Sequence, residues 1–334
     1  MCVFSIDGII QGRNQKNREI SIMQENFTNN LQDIISNIER VIIGKREAIE
    51  LALCAYLCRG HVLIEDMPGV GKTSLVSAIA KSFACSFRRI QFTPDILPSD
   101  ITGFSMYNQK TGEFEYKQGS IMAQIILADE INRTSPKTQS SLLEVMEENQ
   151  VTVDGYTYAV PQPFIVFATQ NPVEYIGTYP LPEAQLDRFF MRISLGYPNA
   201  MEESRMLERF RGADPLETLQ AVSDAQTLVQ MQELVHQVHV DPDINKYIVS
   251  LVRKTRSHPH VALGGSPRAS LCLYRAAQAW ALCNERTYVV PDDVLMMAGS
   301  ILEHRLVLGQ EAKLRNITTE KVVEDAIKNT KIPI

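Results

Sequence analysis

The sequence lacks several features that would assign the chain to a class at once. Its six cysteines include no C-x-x-C pair, so neither a zinc ribbon nor a thioredoxin-like site is indicated. No apolar run approaches the ~20 residues that cross a bilayer, and we expect no transmembrane segment. Acidic residues outnumber basic ones, 39 against 33 in 334 residues, whereas nucleic-acid-binding proteins usually carry a basic face. We therefore expect a cytoplasmic protein with free thiols and no nucleic-acid partner.

Two local features have ordinary explanations. The N-terminal stretch places its basic residues after its apolar ones, which is the wrong order for a signal peptide. We expect residues 1–22 to be a poorly ordered extension, and the sequence leaves open whether Met23 is the natural start. Cys54, Cys58 and His61 lie close together, but "AIELALCAYLCRG" is typical of an apolar helix, where free cysteine packs as a small hydrophobe. Helix packing is favoured there over a metal site.

Short apolar strands alternate with helical periods between residues 61 and 195. The strands are "HVLIE", "SFRRIQFT", "AQIILADE", "FIVFATQ" and "FMRISL". This alternation predicts a mostly parallel sheet covered on both faces, a three-layer αβα core that we assign to residues 23–199. Ligands of such sheets bind at the carboxyl ends of the strands, so the functional residues should follow the strands.

Two inserted hairpins interrupt this core, and a second domain follows it. In residues 103–119 and in residues 150–160, aromatic or apolar side chains alternate with polar ones on both sides of a turn. Asp154-Gly155 in the second stretch is a strong hairpin signal. After Tyr197-Pro198 the strands stop and helical periods run on. We assign residues 200–334 to an α-helical lid domain. Its helices are expected to begin at Asp241-Pro242, Ser266-Pro267 and Pro291.

The stretch "HVLIEDMPGVGKTSL" is typical of a phosphate-binding loop between a strand and a helix. Gly69 and Gly71 let the backbone approach phosphate, while Lys72 reaches the β- and γ-phosphates. The strict pattern G-x-x-x-x-G-K-[ST] has glycine at the position of Asp66. Aspartate tolerates unusual backbone angles, so we expect its carboxylate to point away from the phosphates, towards the lid or a neighbouring subunit. The residues expected to contact ATP here are Pro68, Gly69, Val70, Gly71, Lys72, Thr73 and Ser74.

Polar residues at later strand ends supply the rest of a hydrolytic site. Asp129 closes an apolar strand and, with the Thr73 hydroxyl, is expected to hold Mg²⁺. Glu130 is expected to act as general base towards the attacking water. Asn171 follows the next strand and can position that water. Two arginines are candidates for contact with a γ-phosphate, Arg188 and Arg268.

With these parts assembled, the chain resembles the AAA+ ATPases and specifically the MoxR family, over roughly residues 38–310. The resemblance is carried by "HVLIEDMPGVGKT", "RIQFTPDILPSDITG", "ADEINRTSPKTQSSLLEVMEENQVT", "FATQNPVEYIGTYPLPEAQLDRF" and "GGSPRAS". It implies a P-loop core with a helical lid, and it makes the two hairpins the helix-2 insert and the pre-sensor-1 hairpin of their clade.

The resemblance also implies roles for individual residues. Lys72 and Thr73 match Walker A, and Asp129 and Glu130 match Walker B. Asn171 matches sensor 1, Arg188 the arginine finger and Arg268 sensor 2, although the sequence leaves open whether Arg268 acts in cis or in trans. The "VIIGK" turn is similar to the segment that borders adenine, which makes Ile43 and Gly44 candidate base contacts.

At the level of the whole protein, the resemblance implies ATP and Mg²⁺ as cofactors and a ring, usually a homo-hexamer. MoxR proteins are thought to be chaperones that mature other proteins, often with a von Willebrand factor A-domain partner. The leading hypothesis is therefore a protein-remodelling ATPase whose hairpin aromatics, Tyr107, Phe114 and Tyr116, contact a client or staple the hairpin. The alternatives are a metal-chelatase ATPase subunit and a DNA translocase. A GTPase is disfavoured because no N-K-x-D motif follows the fourth strand.

Some polar residues remain without an assigned role. Arg133, in "DEINR", either reaches a neighbouring nucleotide or pairs with a glutamate, and we favour the second. For Glu303, His304 and Arg305, in "EHRL", a structural role is favoured. The client and the partner cannot be named from the sequence.

Overall fold

Five parallel strands form the central sheet of the computed structural model, which describes residues 26–172, 177–209, 212 and 214–333. Within these residues the strands are β1 (Val62–Glu65), β2 (Phe87–Gln91), β3 (Gly103–Asn108), β4 (Glu113–Gln118), β5 (Ile125–Asp129), β6 (Gln150–Val153), β7 (Tyr156–Ala159), β8 (Ile165–Gln170), β9 (Met191–Ile193), β10 (Val261–Leu263) and β11 (Val307–Leu308). The central sheet has the order β2-β5-β8-β1-β9. All five of its strands lie where the alternation predicted them.

Helices cover both faces of this sheet. Those in the described residues are α1 (26–39), α2 (Arg46–Leu57), α3 (Lys72–Ser82), α4 (Pro98–Thr102), α5 (Pro136–Glu148), α6 (Glu183–Leu186), α7 (Ala200–Arg209), α8 (Pro215–Thr218), α9 (Ala225–Val235), α10 (Pro242–Arg256), α11 (Pro267–Cys283), α12 (Pro291–Leu302), α13 (Gln310–Leu314) and α14 (Thr319–Lys328). None of these helices is both long and apolar enough to cross a membrane. The predicted extension, residues 1–22, lies outside the described residues.

The two faces of the sheet pack into two separate apolar clusters. On β5, Ile125 and Leu127 face one cluster while Ile126 and Ala128 face the other, and every residue of this strand is buried. Strands buried on both faces read as continuous apolar runs, which is the pattern of a covered parallel sheet. The prediction of an αβα core followed by a helical lid is therefore confirmed.

The two predicted hairpins are present and pack against each other. β3 pairs with β4, and β6 pairs with β7, both antiparallel. The rings of Tyr116, on the first hairpin, and Tyr158, on the second, stack with centroids 4.0 Å apart. Tyr116 also donates a hydrogen bond to the Thr102 carbonyl, so it has a structural role. Tyr107 and Phe114 form an edge-on cross-strand pair that remains largely exposed to solvent.

The lid helices begin where proline and its capping residues predicted. α10 follows Asp241, whose carboxylate accepts the Asp243 amide at 2.8 Å. α11 follows Ser266, whose hydroxyl caps the first turn in the same way. α12 begins at Pro291. The lid also contains a short antiparallel pair, β10 with β11, which its sequence did not signal because each strand has only two or three residues.

The "EHRL" cluster joins the lid to the core. The buried Arg305 guanidinium donates to the Asp187 carboxylate at 2.9 Å and to the Phe189 carbonyl at 2.5 Å. Arg192, on β9, forms salt bridges with Glu65 at 2.7 Å and with Glu303 at 2.6 Å. Glu303 and Arg305 thus have the structural role that was favoured for them.

A buried histidine links the amino end of β1 to two neighbouring elements by hydrogen bonds. The Nδ1 atom of His61 accepts the Val166 amide at 3.0 Å, and its Nε2–H donates to the Met146 carbonyl at 2.8 Å. This pattern requires the neutral ring with the proton on Nε2. Burial lowers the pKa of His61 to about 4, so the folded protein resists protonating it.

We expect His61 to make the protein less stable in mild acid. Because its pKa is lower folded than unfolded, its contribution is complete above about pH 6.5 and is lost as the pH falls towards 4. Between pH 7 and pH 5 the loss should be about 2 kcal/mol. Urea unfolding at the two pH values tests this. The His61→Gln variant should be less stable than wild type at pH 7. Its free energy of unfolding should fall less than that of wild type between pH 7 and pH 5. An equal loss in both proteins would contradict the assignment.

Candidate nucleotide-binding site

The loop between β1 and α3 has the shape of a phosphate cradle. Gly69 and Gly71 adopt left-handed backbone angles, with φ of +83° and +94°, which side chains rarely tolerate. α3 begins at Lys72, so its first amides face the loop. The predicted loop residues except Val70 line a cavity of about 370 Å³, whose lining is Pro68, Gly69, Gly71, Lys72, Thr73, Ser74, Arg89, Asp129, Glu130, Thr169 and Asn171. Val70 instead packs against the apolar core.

Lys72 is held within the loop. Its Nζ donates to the carbonyls of Asp66 at 2.8 Å and of Met67 at 3.1 Å. Partial burial lowers the pKa of Lys72, and the negative charges of Asp66, Asp129 and Glu130 act in the opposite sense. The amine is thus already inside the cavity that a phosphate would enter.

Asp66 occupies the position of the missing glycine and ties the loop to the end of β9. One of its carboxylate oxygens accepts the amides of Leu195 at 2.5 Å and Gly196 at 2.9 Å and the Ser194 hydroxyl at 3.1 Å. The other accepts the Met67 amide at 3.0 Å. The carboxylate points away from the phosphate cavity as expected, but it contacts residues 194–196, and the prediction that it faces the lid or a neighbouring subunit was wrong. The amides of Leu195 and Gly196 are its partners because they follow β9, which pairs with β1 directly before Asp66.

Asp129 and Glu130 meet Lys72 at the same cavity. Asp129 accepts the Thr169 hydroxyl at 2.6 Å on one oxygen and the Arg89 guanidinium at 2.6 and 3.0 Å on the other. Glu130 follows β5 in a left-handed conformation, with φ of +58°. Its carboxylate accepts the Gln91 amide at 2.7 Å and Arg133 at 3.0 Å.

These contacts add residues that the sequence reading missed or left open. Arg133 pairs with a glutamate, as favoured, and that glutamate is Glu130 itself. Arg89 and Gln91 alternate along β2 and contact the two carboxylates because β2 is the neighbour of β5, with Gln91 opposite Asp129. The only sequence signal for them was a polar residue at alternate positions of a strand. Thr169, near the end of β8, also contacts Asp129 and was not predicted.

The oxygen donors of this cavity suit a magnesium ion. Thr73 supplies a hydroxyl and Asp129 a carboxylate, which are the hard oxygen ligands that Mg²⁺ prefers. Among the described residues no group of three or more His, Cys, Asp or Glu side chains could hold a metal by itself. Phosphate oxygens and water would have to complete the coordination, as is usual for nucleotide-bound Mg²⁺.

Cys54 and Cys58 are buried, Cys54 on α2 and Cys58 directly after it. Their thiols contact the carbonyls of Ala276 at 3.7 Å and Arg275 at 3.3 Å. His61 uses both of its nitrogens in the backbone contacts described above. The two cysteines thus pack as the small hydrophobes that the apolar helix predicted.

The structure separates the two candidate arginines from the phosphate cavity. Arg188 and Arg268 both pair with Glu147, at 3.3 and 2.7 Å, and line a second cavity of about 420 Å³ beside His61. His61 precedes β1, whereas the phosphate loop follows it. At ~3.3 Å per residue the four residues of β1 span roughly 13 Å between the two cavities. Asn171, by contrast, lines the phosphate cavity itself.

The candidate adenine contacts lie beside a third and larger cavity. Gly44, with φ of +72°, lines a space of about 890 Å³ between the core and the lid, together with Glu65, Arg192 and Met296. Ile43 is not among the residues that line it. The site around Gly44 is also closely packed, because an added Cβ would lie 2.0 Å from the carboxylate of Glu202.

Comparisons with known proteins agree with this geometry. A model of the ATPase family associated with various cellular activities (AAA) matches residues 61–191, and a model of the AAA lid domain matches residues 253–326. A Cytophaga hutchinsonii protein of known structure, described provisionally as an ATPase, superposes with a TM-score of 0.88 and 37% identity. That match covers 96% of this chain and 99% of the other.

Two relatives align over nearly the whole chain. An uncharacterized Bacillus subtilis protein, YeaC, is 53% identical over 93% of this chain and 97% of its own length. The chaperone MoxR1 of Mycobacterium tuberculosis is 41% identical over 91% of this chain and 82% of its own length. With an ATPase core, a matching lid and this degree of identity to MoxR1, the chain belongs to the MoxR family of AAA+ ATPases.

Proposed function

We propose that this protein hydrolyses ATP to remodel or mature client proteins, acting as a ring in which neighbouring copies complete each active site. The observation that carries the proposal is the phosphate cavity. It brings Lys72, Thr73, Asp129, Glu130 and Asn171 together from three strand ends that lie side by side in the sheet. This set supplies phosphate binding, metal ligands, a base and a water-positioning amide.

Each residue then has a distinct task. The loop amides and Lys72 bind the phosphates, and Thr73 and Asp129 hold Mg²⁺, which when bound supplies positive charge against the phosphate oxygens. Glu130 takes the proton from water, and Asn171 orients that water. In the structure described here one oxygen of the Glu130 carboxylate, Oε2, accepts hydrogen bonds from Gln91 and Arg133.

The ring is supported by the position of the two arginines. Arg188 and Arg268 lie near the amino end of β1, away from the phosphate loop of their own chain. A second copy can present this surface to its neighbour's γ-phosphate, where an arginine is worth ~10³–10⁵ in rate. We propose that both arginines act in trans within a homo-hexamer and that Glu147 holds them until the neighbour binds.

The first hairpin is the proposed contact with clients. Its Tyr107–Phe114 pair is 52% and 73% exposed, and Phe104 and Met106 are exposed beside it. Lys117 on the same hairpin is paired with Glu115 at 3.2 Å, so this surface is not a basic stripe and no nucleic-acid partner is proposed. The von Willebrand factor A-domain partner remains a proposal from the family resemblance. A cytoplasmic location is likewise proposed, and the free cysteines support it.

The first prediction concerns nucleotide binding. Lys72→Ala removes a charged donor to the phosphates, worth ~1.5–3 kcal/mol, and should weaken binding of a fluorescent ATP analogue by roughly 10- to 100-fold. Lys81→Ala is the matched control. Lys81 lies on the same helix and donates only to the Leu216 carbonyl, so its loss should leave binding unchanged. Wild-type affinity and phosphate release in Lys72→Ala would refute the ATPase proposal.

A second prediction separates binding from chemistry. Glu130→Gln keeps the shape of the side chain but cannot take up a proton, so ATP should bind while phosphate release slows by about 100-fold or more. Mass measured by light scattering should then show a stable ring in the presence of ATP. If the variant stays monomeric at every ATP concentration, the ring model is wrong.

The third prediction tests the arginines in trans. Arg188→Ala and Lys72→Ala subunits should each be inactive alone. In a mixed ring, an Arg188→Ala subunit with an intact phosphate loop can meet the intact Arg188 of a Lys72→Ala neighbour. Phosphate release by the mixture should therefore exceed that of either variant alone. A mixture that is no more active than its parts would show that Arg188 does not act across the interface.

A further inference from the structure

Both acidic residues of the proposed ATPase site are already engaged by one strand, β2. Arg89 donates through Nε and Nη2 to a single oxygen of Asp129, at 3.0 and 2.6 Å. The other oxygen of Asp129 accepts the Thr169 hydroxyl. We propose that Arg89 is a positioning residue that occupies the metal-binding carboxylate until the nucleotide arrives with its metal ion. The inference rests on the proposed ATPase function and assigns a role to a residue outside the Walker and sensor positions.

The exposure of the two partners shows which one can move. The Asp129 side chain is only 11% exposed and is fixed by Thr169, whereas the Arg89 side chain is 48% exposed. Arg89 also lines the phosphate cavity, so an incoming triphosphate offers its guanidinium another anion close by. The arginine can therefore leave Asp129 without losing an anionic partner, while the carboxylate stays in place.

Arg89 and a divalent cation would compete for the same carboxylate. Both are positive, and two cations beside one carboxylate repel each other at short range. Lys72 does not enter this competition, because it donates to the carbonyls of Asp66 and Met67. Removing the Arg89 charge should therefore strengthen the attraction between Asp129 and Mg²⁺.

The same arginine reaches the catalytic carboxylate through one intermediate. Arg89 Nη2 donates to the Gln91 side-chain oxygen at 2.7 Å, and the Gln91 amide donates to Glu130 at 2.7 Å. When Arg89 leaves Asp129, Gln91 loses the donor that orients its amide. Binding of the metal at Asp129 and release of Glu130 are thus linked through two residues on the same face of β2, Arg89 and Gln91.

The test is an equilibrium titration that does not depend on hydrolysis. A fluorescent ATP analogue is bound to the full-length protein, and its affinity is measured as Mg²⁺ is raised from a metal-free buffer. In Arg89→Met the Mg²⁺ concentration that gives half of the full increase in nucleotide affinity should fall by about three- to tenfold relative to wild type. Arg89→Lys, which keeps the charge but has a single amine, should lie between the two.

A neighbouring arginine gives the matched control. Arg88 lies on the same strand but donates to the Gly119 carbonyl at 3.2 Å, so Arg88→Met should leave the Mg²⁺ dependence as in wild type. Thermal unfolding of all variants confirms that they are folded. If Arg89→Met and wild type share one Mg²⁺ dependence, the inference is wrong even though the ATPase proposal stands. A slower hydrolysis with unchanged Mg²⁺ dependence would limit Arg89 to contact with the phosphates and would also overturn it. A wild-type protein that binds no nucleotide would overturn both.

Discussion

The parallel pairing of five strands is the constraint on which the rest of the molecule depends. Because all five run in one direction, their carboxyl ends share one edge, and the phosphate loop, Asp129 and Asn171 meet there. The amino ends share the opposite edge, where His61 and Arg188 lie. The separation of the phosphate cavity from the two arginines follows from this strand direction, and it is the observation on which the proposed ring rests.

A buried charge fixes the lid at that edge. Arg305 is almost fully enclosed, and a guanidinium without partners there would be costly, so its several bonds to Asp187 and to core carbonyls hold one orientation of the lid. The same orientation brings Arg268, at the start of α11, next to Arg188 and onto Glu147. Two positive groups from separate parts of the chain thereby form one surface, held by a single carboxylate.

The two carboxylates at the carboxyl ends of the strands also have partners that offset their charge. Asp129 and Glu130 face Arg89, Gln91 and Arg133, and these contacts satisfy two negative groups that would otherwise repel each other beside Lys72. In the proposed mechanism a metal ion and a triphosphate exchange with these partners. The exchange would involve β2, which is followed in the chain by α4 and then by the first hairpin with its exposed aromatic pair.

The sequence by itself determined the five central strands, the two hairpins, the capped helix starts and most residues of the phosphate cavity, because periodicity, proline and glycine placement and the loop motif are local signals. It did not supply the order of the strands, since parallel neighbours are distant in sequence. Arg89 and Gln91 were therefore missed, and Asp66 was assigned the wrong partners although its direction was correct. Only the tertiary structure decided these points, because each is a contact between side chains that the sheet order and the docking of the lid bring together.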